Sequence, residues 1–410
     1  MFHPGYFYWM GDVDYLSITL AFLTKMTYNT LCIMRAESAH QGGGTGTGKI
    51  LILTNHSYML YRFRLELLRE LAKTNEVVLS MPFVGHEEDF RAEGFRCVDT
   101  SLDRRGMDPK VDFKLFRFYQ KLLKEEKPDL VITYSIKPNI YGGVACMLAG
   151  IPYCANVQGL GTAFQRKFLA KCASLMYKTA FRKVKTVFFE NTANADEFVR
   201  RKIVPGDRVK VLSGAGINLE RFSCQPYPEN EVPHFLFLSR IMQEKGVDEL
   251  FETVRRLHRE KIPCFLDLVG FFEDEYKDTV DQLEQLGIAK FHGFQQEPRS
   301  FYGAADCVVL PSYHEGMSNV LLEAAAMGRP VIASNIPGCR ESVEDGVSGF
   351  LCKAKDTESL YEQMLRMIRL TREERQTMGL AGRAKMEREF DKNHVVRDTL
   401  SALPLAELQK

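Results

Sequence analysis

Two glutamates eight positions apart, Glu315 and Glu323, flank the turn Gly316-Met317-Ser318-Asn319. The apolar run Cys307-Val308-Val309-Leu310 ends at Pro311, a polar loop follows, and an Ala- and Leu-rich run extends from Ser318 to Gly328, which reads as strand, loop and capped helix. Amides in the first helical turn lack intrahelical partners and lie at the positive end of the helix dipole, so Gly316 to Asn319 can dock a phosphate without a metal. At helical rise the two acids stand up to roughly 12 Å apart, a span that suits a ligand with hydroxyls on both sides of a diphosphate. Upstream, Ser239-Arg240 ends one apolar run and Lys245-Gly246 opens a helical one, which brings two cations beside the turn. Fixed cations and helix amides stabilise charge growing on a departing diphosphate. Taken singly, Arg240 and Lys245 can equally form surface ion pairs. Glu323 lies among apolar neighbours, so it is expected to be partly buried and to need a partner.

The elements that must position these residues alternate along the chain. Strands are expected at Lys49 to Thr54, Glu76 to Met81, Phe95 to Asp99, Leu130 to Tyr134, Pro152 to Val157, Thr186 to Glu190 and Val209 to Leu212. Helical spacing fills Leu60 to Leu71 and positions 111–126, 139–149, 164–183 and 192–202. The pattern restarts after the Pro/Glu/Asn-rich stretch Gln225 to Pro233, with strands at Phe235 to Leu238, Phe265 to Val269, Phe291 to Phe294, Cys307 to Leu310 and Val331 to Ala333, and a helix at Val247 to His258. Strands alternating with helices imply parallel sheets covered on both faces. The expected architecture is α/β, with two Rossmann-like domains facing across a cleft, 49–230 and 231–389, followed by a terminal segment 390–410. Ligands of such sheets bind outside the carboxyl ends of the strands.

In the first half the carboxyl-end loops are Asn55-His56-Ser57-Tyr58, Ser135-Ile136-Lys137-Pro138-Asn139 and Gln158-Gly159-Leu160-Gly161-Thr162. Arg62, Arg64 and Lys137 are candidates for an anionic acceptor. Asn139 either contacts that ligand or caps a helix. Gly159 and Gly161 either adopt positive φ or let a substrate approach the backbone.

Composition narrows the classes. In 410 residues, 54 Lys and Arg oppose 53 Asp and Glu, so no global field favours nucleic acid. Ten cysteines without a C-x-x-C pair point to reduced thiols and a cytoplasmic setting rather than to disulfides or a zinc site. The leader 1–48 has no apolar run of the ~18 to 20 residues that span a bilayer and no signal-peptide pattern. It is expected to be poorly ordered or an artefact of the start site. Gly43 to Lys49 fits G-x-x-x-x-G-K, but Ile50 stands where Ser or Thr should hold magnesium and the run precedes a strand, so no triphosphate site is expected there. Gln165 to Lys185 carries Arg166, Lys167, Lys171, Lys178, Arg182, Lys183 and Lys185 with no acid, interleaved with Phe168, Leu169, Leu175, Met176 and Phe181. Such a segment either lies on an anionic membrane or packs on the sheet with a solvated basic face.

The motifs Ser239-Arg240 with Lys245-Gly246, Glu315 through Ala324, Gly328-Arg329-Pro330-Val331-Ile332-Ala333 and Gly346-Val347-Ser348-Gly349-Phe350-Leu351 resemble the retaining glycosyltransferases of family 4, which have the GT-B fold. Phe63-Arg64, Ile136-Lys137-Pro138-Asn139-Ile140-Tyr141-Gly142 and Gln158-Gly159-Leu160-Gly161 look like the bacterial branch that extends lipid-linked saccharides. The similarity runs from about Lys49 to the end, and the first loop lacks the glycine pair seen in many members. The resemblance implies that Glu315 contacts the transferred sugar, Glu323 the ribose, the Gly316 to Asn319 amides the phosphates, and Arg240 and Lys245 the diphosphate. The backbone near Phe294 would meet the base, usually uracil, and Phe390 to Leu405 would be a helix crossing back onto the first domain. Arg64, Lys137, Asn139, Gly159 and Gly161 would face the acceptor. No cofactor or divalent metal is implied, and the two halves hold no Asp-x-Asp pair. The implied reaction moves a hexose or N-acetylhexosamine from a UDP-sugar to a polyprenyl-diphosphate-linked saccharide, in the cytoplasm or on the inner face of the membrane. An epimerase or phosphorylase on the same fold, and a non-catalytic scaffold, remain open at this point.

Overall fold

A computed structural model describes residues 48–100, 108–160, 164 and 167–407. Two wholly parallel sheets account for its strands. The first contains β1 (Gly48–Leu53), β2 (Asn75–Met81), β3 (Arg96–Asp99), β4 (Leu130–Tyr134), β5 (Tyr153–Val157), β6 (Val187–Phe189) and β7 (Val209–Val211), in the order β3-β2-β1-β4-β5-β6-β7. The second contains β8 (His234–Leu238), β9 (Phe265–Val269), β10 (Ala289–Phe291), β11 (Cys307–Leu310), β12 (Val331–Ser334) and β13 (Gly349–Cys352), in the order β10-β9-β8-β11-β12-β13. The central strands are continuous apolar runs because helices bury both of their faces.

The order of each sheet reverses once, between β1 and β4 and between β8 and β11. A crevice opens where neighbouring crossovers diverge to opposite faces. In the second half that point selects the loop from Ser239 to Gly246 and the loop from Pro311 to Ser318. Gly246 docks one against the other. Its φ is +72° and a Cβ on it would lie 2.1 Å from the Pro311 carbonyl oxygen, so only glycine permits the approach that carries Lys245 to Glu315.

The segment after β7 is pinned to the second half. Tyr227 is buried with its hydroxyl donating to Asp306 O at 2.6 Å, and the fully buried Arg329 donates to the carbonyls of Gln225, Pro226, Tyr302 and Gly303. The chain then returns. Helix Lys392–Ala402 and the Leu403 that follows it place Val395, Val396 and Leu403 in the core beside β1 and β2, and Lys392 Nζ donates to Phe63 O at 3.2 Å. Burial pushes the Lys392 ammonium down to about 8 despite the nearby Glu66.

Some local expectations are corrected. The strand expected at Phe291 to Phe294 is β10, which ends at Phe291, because Gly293 turns into the left-handed region at φ +69°. Phe294 is thereby released into a loop. The helix expected over 139–149 begins as a π-helical turn, Pro138–Gly142, and continues as Gly143–Ala149. The leader, apart from Gly48, lies outside the described residues, as does Gly161.

Candidate active site between the two halves

The loop after β11 is held by contacts on every side. Glu315 Oε1 accepts from Lys245 Nζ at 2.6 Å and from Ser312 Oγ at 2.8 Å. The Ser318 amide donates to Gly338 O at 2.8 Å, so that one of the four amides read as phosphate donors is already engaged. Met317 is buried, its side chain against Gly214 of the first half. Asn319 opens the two-turn helix Asn319–Ala326, whose Leu321, Leu322, Ala324, Ala325 and Ala326 are buried in the core of the second half. Its N-terminus faces the cleft, where Asn319 and Val320 line a cavity of about 190 Å³ together with Tyr58, Arg62, Arg240, Phe294 and Glu323.

Glu323 is buried, its side chain only 4% exposed. Its partners come from both halves. Arg62 Nη2 reaches Oε1 at 3.1 Å and Oε2 at 3.3 Å, and the fully buried Tyr302 donates its hydroxyl to Oε2 at 2.8 Å. Burial raises the Tyr302 phenol well above its ordinary range, and the adjacent Glu323 charge adds to that, so Tyr302 stays a proton donor. Arg240 lies on the rim with Nη1 3.6 Å from Glu273 Oε2. The two cations thus serve different acids, Lys245 joining Glu315 and Arg240 joining Glu273. Phe294 is 57% exposed, with its ring centroid 6.3 Å from that of Phe271.

The first-half candidates are distributed differently. Arg64 is buried, its Nη2 2.7 Å from Glu190 Oε1 and its guanidinium over the Tyr134 ring. Lys137 pairs with Asp112 at 3.0 Å. Asn139 is 1% exposed and does not cap the helix: it accepts from Thr133 Oγ1 at 2.6 Å and donates to Asn156 O at 2.8 Å, pinning β4 to β5. Each of these three residues thus has a polar partner inside the first half. Gly159 has no positive φ; it lies against Gly316, a Cβ there falling 3.7 Å from the Gly316 Cα.

Around that point the halves touch through backbone. Asn191 Nδ2 donates to Gly316 O at 2.5 Å while its Oδ1 accepts the Asn194 amide at 2.9 Å and caps helix Thr192–Arg200. Beside it, burial pushes the Glu190 carboxyl up to about 7 against the pull of Arg64 and Gln158.

Two family models match the chain, glycosyl transferase 4-like over residues 49–191 and glycosyl transferases group 1 over residues 232–369. The chain belongs to the group 1, family 4-like glycosyltransferases. Among similar proteins is the N,N'-diacetylbacillosaminyl-diphospho-undecaprenol alpha-1,3-N-acetylgalactosaminyltransferase of Campylobacter jejuni, 26% identical over 370 residues that span 85% of this chain and 96% of the relative. Another is the UDP-Gal:alpha-D-GlcNAc-diphosphoundecaprenol alpha-1,3-galactosyltransferase of Escherichia coli, 27% identical over 62% of this chain and 70% of the relative. Anabaena HepE, solved in complex with UDP and glucose, shares the fold with a TM-score of 0.69 at 19% identity, covering 87% of this chain and all of that one. The fold of this glycosyltransferase is GT-B, with the last helix crossing back to the first sheet.

Sequence reasoning about the glycosyltransferase missed Tyr302, Ser312, Asn191 and Glu190, and placed Arg62 with the acceptor rather than on Glu323. Asn191 follows a strand at its carboxyl end, a readable signal for a loop contact. Nothing in the spacing marks Tyr302, which reaches Glu323 from the separate helix Arg299–Ala304.

Proposed function

We propose that the protein transfers a hexose or N-acetylhexosamine from a UDP-sugar to a hydroxyl of a polyprenyl-diphosphate-linked saccharide, with retention of anomeric configuration. The observation that carries this reading is the meeting of Arg240, Asn319 and Glu323 on one cavity at the strand-order reversal, with the Lys245–Glu315 pair in the same loop system. Diphospho-undecaprenol in the names of two similar proteins supports the acceptor class. In this reading Phe294 and the backbone beside it hold the uracil, Glu323 reads the ribose hydroxyls, and Glu315 the hydroxyls of the sugar. Lys245, Arg240 and the amides beside Asn319 take the diphosphate. As the bond from C1 to the phosphate oxygen breaks, the acceptor oxygen bonds to C1 on the same face and its proton passes to the departing phosphate, leaving UDP. The growing phosphate charge falls to side-chain cations and helix amides.

Incubation with a panel of UDP-sugars tests the donor assignment, since slow hydrolysis of one donor needs no acceptor. One sugar nucleotide is expected to release UDP, and the rate is expected to persist in excess chelator. A panel in which no donor turns over or binds would overturn the assignment; loss of the rate in chelator would overturn the metal-free mechanism.

The reading also places the protein peripherally on the inner face of the cytoplasmic membrane. Among the described residues no helix is long and apolar enough to cross a membrane. Helix Lys167–Ala180 and the turn after it expose Lys171, Leu175, Lys178, Arg182, Lys183 and Lys185 on one side of the first half, while Tyr177, Ala180 and Phe181 pack into the core. Both expectations for this segment are thus compatible with one helix. Lys171, Lys178 and Lys183 changed together to glutamate are expected to abolish sedimentation with phosphatidylglycerol vesicles, since each basic residue near an anionic surface contributes about 1 kcal/mol. Unchanged sedimentation would retire the membrane contact.

A further inference from the structure

Arg62 leaves helix Ser57–Ala72 of the first half and ends on an acid of the second. Tyr302, buried in the second half, covers Glu323 from within; Arg62 covers it from the cleft, and between them the carboxylate keeps almost no exposed surface. The guanidinium is itself held, donating from Nη1 to Tyr58 OH at 2.7 Å and lying near the Tyr58 and Phe63 rings. Burial works against its charge, but Glu323 and Tyr58 outweigh that and keep its pKa raised. The space left beside it is about 190 Å³. The two Glu323 oxygens that a ribose would meet are already engaged by Arg62 and Tyr302, so a ribose does not reach them while Arg62 holds this position.

We propose that Arg62 gates the donor site: its guanidinium occupies the place on Glu323 that the donor's ribose hydroxyls take, and it must yield that place for the nucleotide to enter. The inference rests on the assignment of Glu323 to ribose under Proposed function. It adds that entry exchanges an ion pair between the halves for hydrogen bonds to ligand. Donor binding is therefore linked to release of the first half, and its apparent affinity is reduced by the fraction of molecules in which the gate is shut. Arg62 is a positioning residue in this scheme. Its removal helps the nucleoside as much as the nucleotide, because the competition is at the ribose.

Calorimetric titration of the full chain with UDP and with uridine distinguishes the possibilities. Arg62→Ala is expected to bind both about tenfold more tightly than the unmodified protein. Tyr58→Phe, which frees the guanidinium without touching Glu323, is expected to shift both the same way by a smaller factor, and it guards against a folding defect in the first variant. Weaker UDP binding with unchanged uridine binding would make Arg62 a phosphate ligand and overturn the gate. Unchanged affinities for both probes would overturn it too, while leaving the donor assignment intact. If neither the unmodified protein nor the variants bind UDP, the donor assignment itself falls, and the gate with it.

Discussion

Lys245→Ala is expected to lower turnover on the order of a hundredfold or more, with the loss in kcat rather than in KM for the donor. The argument starts from Gly246, whose left-handed turn against Pro311 fixes the Lys245 backbone beside the Glu315 loop. The ammonium is thereby confined, 15% exposed and 2.6 Å from Glu315 Oε1. A cation held in place before the reaction needs no reorganisation as charge accumulates on the diphosphate, so its interaction strengthens toward the transition state. Alanine removes that cation and leaves Glu315 with Ser312 alone, which adds electrostatic repulsion between the acid and the leaving group. Steady-state kinetics with saturating acceptor checks this. Turnover within a few-fold of the unmodified protein would mean that Lys245 only orients Glu315 and that the diphosphate charge is met elsewhere.

Much of the scaffold behind that prediction was legible from local pattern. The strands β4 and β11 lie where their apolar runs begin and end, because a buried parallel strand needs a nearly unbroken run and has little freedom to shift. Burial of Glu323 followed from its apolar helix. Its partners did not, since Arg62 lies 261 positions away on another domain, and periodicity reports which face a residue occupies but not what that face meets. The same limit explains Arg64 and Asn139. Each is polar near the carboxyl end of a sheet, where ligand contacts concentrate, yet Arg64 pairs with Glu190, and Asn139 bonds the Thr133 hydroxyl and the Asn156 carbonyl, inside the first half. Ser318 shows it for the backbone: an amide at a helix start is available only if no other loop folds over it, and the loop at Gly338 does. Strand β13 was missed because it opens on Gly349, whose place is set by contact with Val331 O rather than by its own strand preference.

Gly316→Ala is expected to reduce turnover at least a hundredfold, whereas Gly159→Ala, made at the glycine facing it, is expected to stay within a few-fold. A Cβ on Gly316 would fall 1.5 Å from the Gln158 carbonyl oxygen and 2.7 Å from its carbon, a collision with backbone that no side-chain rotation relieves. A Cβ on Gly159 would lie 3.7 Å from the nearest atom, an ordinary contact, and Gly159 does not have a positive φ that alanine would resist. The collision at Gly316 must be relieved by moving either its loop or the two halves. The loop is tied within the second half by Lys245 and Ser312 to Glu315 and by Gly338 to Ser318, so the halves are expected to part instead. Parting breaks the Asn191 bond to Gly316 O and, on the proposed assignment of the acceptor to the first half, separates it from the donor sugar. A misplacement of about 1 Å between reacting groups costs on the order of a hundredfold in rate. Donor contacts within the second half survive, so UDP is expected to bind Gly316→Ala at least as well as the unmodified protein while transfer to acceptor fails. Equal turnover in the two glycine variants would show that the backbone contact at Gln158 is not part of the reactive arrangement.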